Sequence, residues 1–230
     1  ILPHPLDARI YEDYMTSARG YVKLAERRNG PIPRAVDYGY VWGDLLTEDA
    51  YRRCDLRIIN LETAITTAAE PEPKGINYRM HPANVPALTA ASVDACALAN
   101  NHLLDWGRPG LVETLETLET AGIARAGAGR TAEQAAELAK LNVAGGGRVL
   151  LLAFGDKSSG IPRHWAATED SAGINMLPRT IEQTVERVRH QTAAIRRSGD
   201  ILLVSIHWGG NWGFEIPEDQ RRLAHALIDA

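Results

Sequence analysis

The sequence predicts an α/β protein with a largely parallel β-sheet, and three observations support that fold class. Short apolar runs at 93–98, 148–154 and 201–206 have the length and composition of buried strands. Amphipathic helical patterns at 111–121 and 180–197 separate these runs along the chain. Neither an internal repeat nor an interdomain linker interrupts this alternation, so we expect a single domain.

Start and stop signals place the remaining elements. Asn29-Gly30-Pro31 ends a first helical pattern, Thr131 caps a later helix, and Pro217 opens the last one. Gly145-Gly146-Gly147 predicts a hairpin and not a phosphate-binding loop, because a strand and not a helix follows it. Residues 66–77 are polar and rich in proline, which predicts a surface loop. The expected helices are 10–25, 41–53, 84–90, 111–121, 131–138, 180–197 and 217–229, and the expected strands are 56–59, 93–98, 123–126, 141–143, 148–154 and 201–206.

Composition excludes several classes of function. The 230 residues carry a net charge of −4 with scattered basic side chains, so we expect no nucleic-acid-binding surface. Cys54 and Cys96 are isolated beside apolar residues, which predicts two buried thiols outside any disulfide. The sequence contains no apolar run of membrane-spanning length, and it does not open with a signal peptide.

Both ends of the sequence have the pattern of a truncated domain. The chain begins with Ile1 instead of Met, and Asp229-Ala230 lies inside an amphipathic helical pattern. We therefore expect the domain over 1–230 to be incomplete at both termini, and a membrane anchor to lie only in a segment outside it. The compartment stays open between the cell envelope or extracellular face, if an anchor exists, and the cytoplasm.

Three predicted strands end in side chains that bind metal ions or transfer protons. These side chains are Glu62, Asn101 with the adjacent His102, and His207. The carboxyl ends of parallel strands meet at one edge of a sheet, where α/β proteins bind their ligands. Carboxylate, amide and imidazole donors without a thiolate suit a divalent ion such as Mn²⁺, Fe²⁺, Zn²⁺ or Mg²⁺. Each residue alone also fits a turn cap or a packed core histidine, so the prediction depends on all of them lying together.

The loop from Asn100 to Asp105 carries the densest set of polar groups. His102 is able to donate a proton, and Asp105 is spaced to bind its second ring nitrogen. The structural alternative is that the asparagines of this loop only cap turns.

Three segments together resemble the CapA family of capsule and poly-γ-glutamate biosynthesis proteins, which have the calcineurin-like metallophosphoesterase fold. They are Asn60-Leu61-Glu62, the Asn-Asn-His-x-x-Asp-x-Gly pattern within Ala99 to Gly107, and Ser205-Ile206-His207-Trp208-Gly209. The resemblance implies a β-sandwich flanked by helices, with two metal ions at the strand ends. It implies that the metal ligands include Glu62, Asn101 and His207. It also implies that His102 assists the leaving group or stabilises transition-state charge, and that Asp105 orients His102.

The resemblance is incomplete at both ends of the chain. Family members begin with a strand that ends in a metal-binding Gly-Asp, and they carry a Gly-His-x-x-His element after the last helix. Gly43-Asp44 lies in a helical start and is not assigned the first of these roles. We therefore expect the full-length protein to bind two metal ions, and this chain to bind them incompletely.

The resemblance leaves different classes of function open. The first is a metal-dependent hydrolase of phosphoester bonds, and a related possibility is hydrolysis of a γ-amide. The second is a non-catalytic accessory protein that binds or exports an anionic polymer such as poly-γ-glutamate, with other synthesis components as partners. The expected substrate-binding residues are Arg79, His81 and Asn100, and Lys74 is a further candidate for contact with an anion. Family likeness names a pathway but not a reaction.

Overall fold

A computed structural model describes residues 2–230 and groups them into two compact units. Unit 1 contains the residues up to Asp94 together with His102–Ile123, and unit 2 contains Ala95–Asn101 together with Ala124–Ala230. Compact units of this kind occur within one domain as well as in two, so the single domain over 1–230 stays a prediction. The fold is mixed α/β, as the sequence predicts. In the described part of the chain, no helix is both long enough and apolar enough to cross a membrane.

Unit 1 is mainly helical. Its strands β2 and β3 form a parallel pair in which Ala64 lies opposite Arg79. Helix α4 packs on β2, and the Thr114 hydroxyl accepts a hydrogen bond of 2.9 Å from the backbone N–H of Ile65. This contact fixes the strand edge to the helix that follows the His102 loop. The elements of unit 1 are α1 (Ala18–Asn29), α2 (Asp49–Arg52), β1 (Ile58–Asn60), β2 (Ala64–Ile65), β3 (Arg79–Met80), α3 (Pro86–Ala90) and α4 (Gly107–Thr120), with 3-10 turns at Tyr40–Thr47 and Pro82–Asn84.

Unit 2 contains the longest strands. In one sheet β8 is central and pairs in parallel with β10 and antiparallel with β7. In a separate sheet β4 pairs in parallel with β5. The strands of unit 2 are β4 (Ala95–Ala97), β5 (Ala124–Ala126), β6 (Ala128–Gly129), β7 (Ala139–Asn142), β8 (Arg148–Gly155), β9 (Gly173–Ile174) and β10 (Ile201–His207), and its helices are α5 (Ala132–Ala136), α6 (Ile181–Ala193) and α7 (Glu218–Ile228). The predicted β7–β8 hairpin and the Thr131 cap of α5 are both confirmed.

Three local expectations need correction. The first helix begins at Ala18 and not at residue 10, because Arg9 and Ser17 form an antiparallel bridge and the Ser17 hydroxyl caps the helix. Cys54 is exposed, whereas Cys96 is buried as predicted, and burial raises the pKa of the Cys96 thiol to about 12. The third correction concerns β10, which is not a buried strand.

Strand β10 is an edge strand with one covered face. Ile201 and Leu203 are 64% and 39% exposed, whereas Leu202 and Val204 pack against the buried core. Side chains alternate between the two faces of a strand, so an apolar run signals burial on both faces only where both faces are covered. Within residues 2–230, β10 pairs with β8 alone.

Asp200, which precedes β10, gives a prediction for the pH dependence of stability. Hydrogen bonds of 2.6 and 3.0 Å from the Arg148 guanidinium, and one of 2.7 Å from the Arg197 N–H, hold the pKa of this carboxyl below its usual value. Because the folded-state pKa is the lower one, the stabilisation is complete above the unfolded-state pKa and is lost as pH falls through the folded-state pKa. The melting temperature of Asp200→Asn should therefore lie well below that of the wild type near neutral pH, and the difference should shrink below about pH 4. The exposed Asp170→Asn is the control, and a difference that is constant across this pH range would contradict the account.

Candidate functional site

The loop before α4 holds His102 against Asp105 in unit 1. The Nδ1 atom of His102 lies 2.7 Å from Oδ2 of Asp105, and the two residues are 7% and 0% exposed. An ionised carboxylate only accepts hydrogen bonds, so Nδ1 is the donor and the ring proton of neutral His102 lies there. The predicted pairing of these two side chains is thus present, and Nε2 lies on the opposite side of the ring from Asp105.

Asp105 is fixed by several contacts besides His102. Its Oδ1 lies 2.7 Å from the Lys74 ammonium, and its Oδ2 accepts a hydrogen bond of 2.6 Å from the Tyr78 N–H. Its backbone carbonyl accepts hydrogen bonds from the Glu72 N–H and from the Asn77 side-chain amide, at 2.8 and 3.2 Å. A fully buried carboxylate needs such compensation, because desolvation penalises its charge.

The segment 66–77 is a loop that is mostly exposed or half-buried, as predicted, but its two end residues are buried. Thr66 is fully buried and Asn77 is 9% exposed. The proline and glycine content of the segment indicates its local turns but not what it packs against. The loop encloses the Asp105 carboxylate, and Lys74 binds Asp105 in this structure.

Tyr78 is a residue that sequence reasoning missed. Its ring stacks on the His102 imidazole, with centroids 4.1 Å apart and planes inclined by 28°. Trp106 donates a hydrogen bond of 2.9 Å from its indole N–H to the Tyr78 carbonyl, which holds this segment in place. Burial raises the pKa of Tyr78, and the negative charges of nearby carboxylates, Glu62 and Asp105 among them, raise it further. Tyr78 therefore stays neutral and covers one face of the imidazole.

Glu62 lies on the Nε2 side of His102. Its Oε1 is 4.0 Å from His102 Nε2, and its Oε2 accepts a hydrogen bond of 3.0 Å from the Asn60 amide. The Glu62 side chain is 41% exposed, so solvent reaches this part of the site. Unit 1 thus brings together three of the predicted residues: Glu62, His102 and Asp105.

Unit 2 brings together the other two predicted ligands. Nε2 of His207, at the end of β10, lies 3.0 Å from Oδ1 of Asn101. The His207 carbonyl accepts a hydrogen bond of 2.9 Å from Asp156, which anchors the end of the strand. An amide oxygen only accepts, so this contact is a hydrogen bond in which His207 Nε2 donates to Asn101. Imidazole and amide groups are also of the types that bind divalent ions.

Close approach at Gly155 sets the position of the loop that leads to Asn101. A Cβ atom on Gly155 would lie 3.0 Å from the Ala99 carbonyl oxygen and 2.5 Å from a methyl group of Ile161. Gly155 is the register partner of His207 on β8. A glycine at the end of β8 thus allows the backbone that carries Asn101 to approach.

The predicted substrate-binding residues lie in different surroundings. Asn100 is fully buried in unit 2. The Arg79 guanidinium in unit 1 lies 3.8 Å from the centre of the Trp106 ring and donates a hydrogen bond of 2.5 Å to the Ala68 carbonyl. His81 caps the 82–84 turn by accepting the Ala83 N–H at Nδ1. Their role in substrate binding stays a prediction.

A cluster of imidazole, thiol and carboxylate side chains would be another kind of metal site. Within residues 2–230, no three His, Cys, Asp or Glu side chains form a group that could hold a metal ion.

Comparison with known proteins identifies relatives along the whole chain. The sequence model described as "Bacterial capsule synthesis protein PGA_cap" matches residues 8–230. A protein of Mycobacterium tuberculosis named "Probable polyglutamine synthesis accessory protein" is 44% identical over 232 residues, which cover 100% of this chain and 61% of that protein. The chain therefore spans less than two thirds of this relative's length.

Two Bacillus proteins are more distant relatives. The "Capsule biosynthesis protein CapA" of Bacillus anthracis is 26% identical over 68% of this chain and 37% of its own length. The "PGA biosynthesis protein CapA" of Bacillus subtilis is 25% identical over 80% of this chain and 46% of its own length. On the match over residues 8–230, the chain belongs to the PGA_cap family of bacterial capsule synthesis proteins.

Proposed function

We propose that the chain forms the core of a capsule or poly-γ-glutamate biosynthesis protein that hydrolyses phosphoester bonds with divalent metal ions. The observation that carries this proposal is the buried contact of 2.7 Å between Asp105 and His102. A histidine whose ring is fixed by a carboxylate at one nitrogen is well arranged to transfer a proton at the other. The metallophosphoesterase-type β-sandwich is part of the same proposal.

Each residue has a stated role in this proposal. Protonated His102 donates from Nε2 to the leaving oxygen of the ester, while Asp105 keeps the ring oriented and Tyr78 covers its face. By family resemblance, the metal ligands are Glu62 in unit 1, and Asn101 and His207 in unit 2. Bound divalent ions would polarise the phosphoryl group and supply a hydroxide at neutral pH.

Turnover of a chromogenic phosphodiester by the complete gene product with Mn²⁺ tests the hydrolase proposal. We expect His102→Ala to lower kcat by about 10²- to 10⁴-fold, the usual contribution of a positioned general acid. His190→Ala, which changes an exposed histidine on α6, is the control and should retain turnover. Equal turnover by both variants would rule out a catalytic role for His102.

The second candidate is a non-catalytic accessory protein that binds an anionic polymer or other components of polymer synthesis. It is favoured by the word "accessory" in the name of the mycobacterial relative. The same experiment separates the two candidates when poly-γ-glutamate is added as a second substrate. Binding of the polymer without turnover of either substrate would favour the accessory role, and release of glutamate would indicate amide hydrolysis.

Titration of the chain with Mn²⁺ in a calorimeter tests the proposed ligands. We expect incomplete binding, because the resemblance predicts further ligands that are not found in residues 1–230. Asn101→Ala and His207→Ala should each weaken the remaining binding, since each removes a donor atom of the pair 3.0 Å apart. His190→Ala should leave it unchanged. Two tight sites in the unaltered chain would contradict the expectation, and unchanged binding in the Asn101 and His207 variants would contradict the ligand assignment.

A further inference from the structure

Unit 2 contains a cavity of about 620 Å³ that the proposed hydrolytic chemistry does not use. It lies between α6, α7 and the covered face of β10. The proposed metal ligand His207 does not line it, because the alternation of a strand places this side chain on the other face from Ile206. Cavities that bind small organic ligands have volumes of about 300–1,000 Å³, so this one is large enough for such a ligand.

The floor and one wall of this cavity are apolar. Leu202, Val204 and Ile206 share one face of β10 and form the floor. Leu227 and Ile228 of α7 form the wall, and Ile228 is 81% exposed. Water therefore reaches apolar surface here, and covering that surface with another apolar group is favourable.

The opposite wall carries two positive charges. Arg189 and Arg196 line the cavity from α6 and the turn that follows it, and both side chains are exposed. The Arg196 N–H donates a hydrogen bond of 2.8 Å to the Thr192 carbonyl, so the helical path continues past Ala193. Seven residues are about two helical turns, which places both arginines on the same side of the helix.

Neither of these arginines is neutralised by a neighbouring carboxylate. The lining of the cavity contains no Asp or Glu side chain. In the part of the chain that the structure describes, Arg189 and Arg196 form no ion pair, although the chain as a whole carries a net charge of −4. A positive excess at a concave surface attracts anions.

The two walls together select one class of ligand. A guanidinium binds a carboxylate or a phosphate through paired hydrogen bonds. A fully polar anion would leave the apolar floor in contact with water, and a neutral apolar molecule would leave both arginines without a partner. A molecule with one anionic head group and one alkyl chain satisfies both walls.

We infer that this cavity binds a free single-chain anionic amphiphile, such as a fatty acid. The head group contacts Arg189 and Arg196, and the alkyl chain lies against β10 and α7. This inference is independent of the proposed function, because it uses none of the residues assigned to hydrolysis or metal binding.

Calorimetric titration of the complete gene product with octanoate, decanoate and dodecanoate, each below its micelle-forming concentration, tests the apolar part of the site. Each added methylene should lower the Kd about fourfold, the factor that burial of one methylene supplies. Equal Kd values for the three acids would overturn the inference, because the alkyl chain would then lie outside the cavity.

Substitution of the two arginines tests the charged part of the site. Arg189→Gln combined with Arg196→Gln should raise the Kd of decanoate about tenfold, because two exposed ion pairs together contribute roughly this factor. Both double variants should bind uncharged octanol like the wild type, which shows that the apolar part of the cavity is intact. Arg163→Gln combined with Arg179→Gln is the matched control, since it removes the same charge from exposed positions of unit 2 outside the lining. The control should leave the Kd of decanoate within about twofold.

Four further results would overturn the inference. The first two are no binding of any of the three acids and an equal loss of affinity for decanoate in both double variants. The third is binding by residues 1–230 but not by the complete gene product, because the cavity would then be filled within that protein. The fourth is binding to phosphatidylglycerol vesicles without binding of free dodecanoate, which would assign this surface to a membrane.

Discussion

Asp105→Asn is expected to lower the free energy of unfolding by about 3 kcal/mol, the usual cost of breaking a buried ion pair. The substitution keeps the size of the side chain but removes the charge that binds His102, Lys74 and the Tyr78 N–H. In either orientation of the new amide, its NH₂ group would face a hydrogen-bond donor, Lys74 at one position or the Tyr78 N–H at the other. Urea denaturation monitored by circular dichroism measures the effect.

Asp13→Asn is the control for this prediction, because it makes the same chemical change at an exposed position of unit 1. A surface substitution of this kind should change the free energy of unfolding by no more than about 0.5 kcal/mol. If Asp105→Asn unfolded at the same urea concentration as Asp13→Asn, the buried carboxylate would not be the centre of the site.

Gly127→Ala is expected to destabilise unit 2 by about 3 kcal/mol, since it combines backbone strain with overpacking. Gly127 has a φ angle of +91°, which side-chain-bearing residues rarely adopt. A Cβ atom there would lie 2.7 Å from the Cβ of Ala153 and 2.8 Å from the Cβ of Ala99. The clash would push β8 away from the loop that carries Asn101.

Gly145→Ala separates the two causes of this effect. Gly145 has a φ angle of +88°, but nothing lies within 4 Å of the position of its Cβ. It therefore shares the backbone strain, about 1 kcal/mol, without the clash. Equal destabilisation by the two substitutions would show that close packing at Gly127 is not important.

The sequence predicts the features that depend on near neighbours in the chain. His207 ends a strand, Thr131 caps a helix and Asp105 reaches back three residues to His102, and each of these follows from local spacing. The family resemblance, which rests on such short segments, is confirmed by the match over residues 8–230.

Features that depend on distant residues could not be predicted in the same way. Lys74 is 31 residues from Asp105, and the stacking of Tyr78 on His102 leaves no periodic signal in the sequence. The exposure of Ile201 depends on whether other elements cover its face of β10, and an apolar run does not encode that information. Sequence reasoning thus predicted the local contact between His102 and Asp105 but missed the contacts that come from distant segments.

The central claim is that His102, held by Asp105, protonates the leaving oxygen of a phosphoester. The most direct test compares kcat of the wild type and His102→Ala, in the complete gene product with Mn²⁺, on phosphodiesters whose leaving groups are phenol and 2,4-dinitrophenol. Protonation matters most for the more basic phenol, so we predict a loss of about 100-fold or more for the phenyl ester and less than about threefold for the dinitrophenyl ester. An equal loss for both esters, or no loss for either, would contradict the claim.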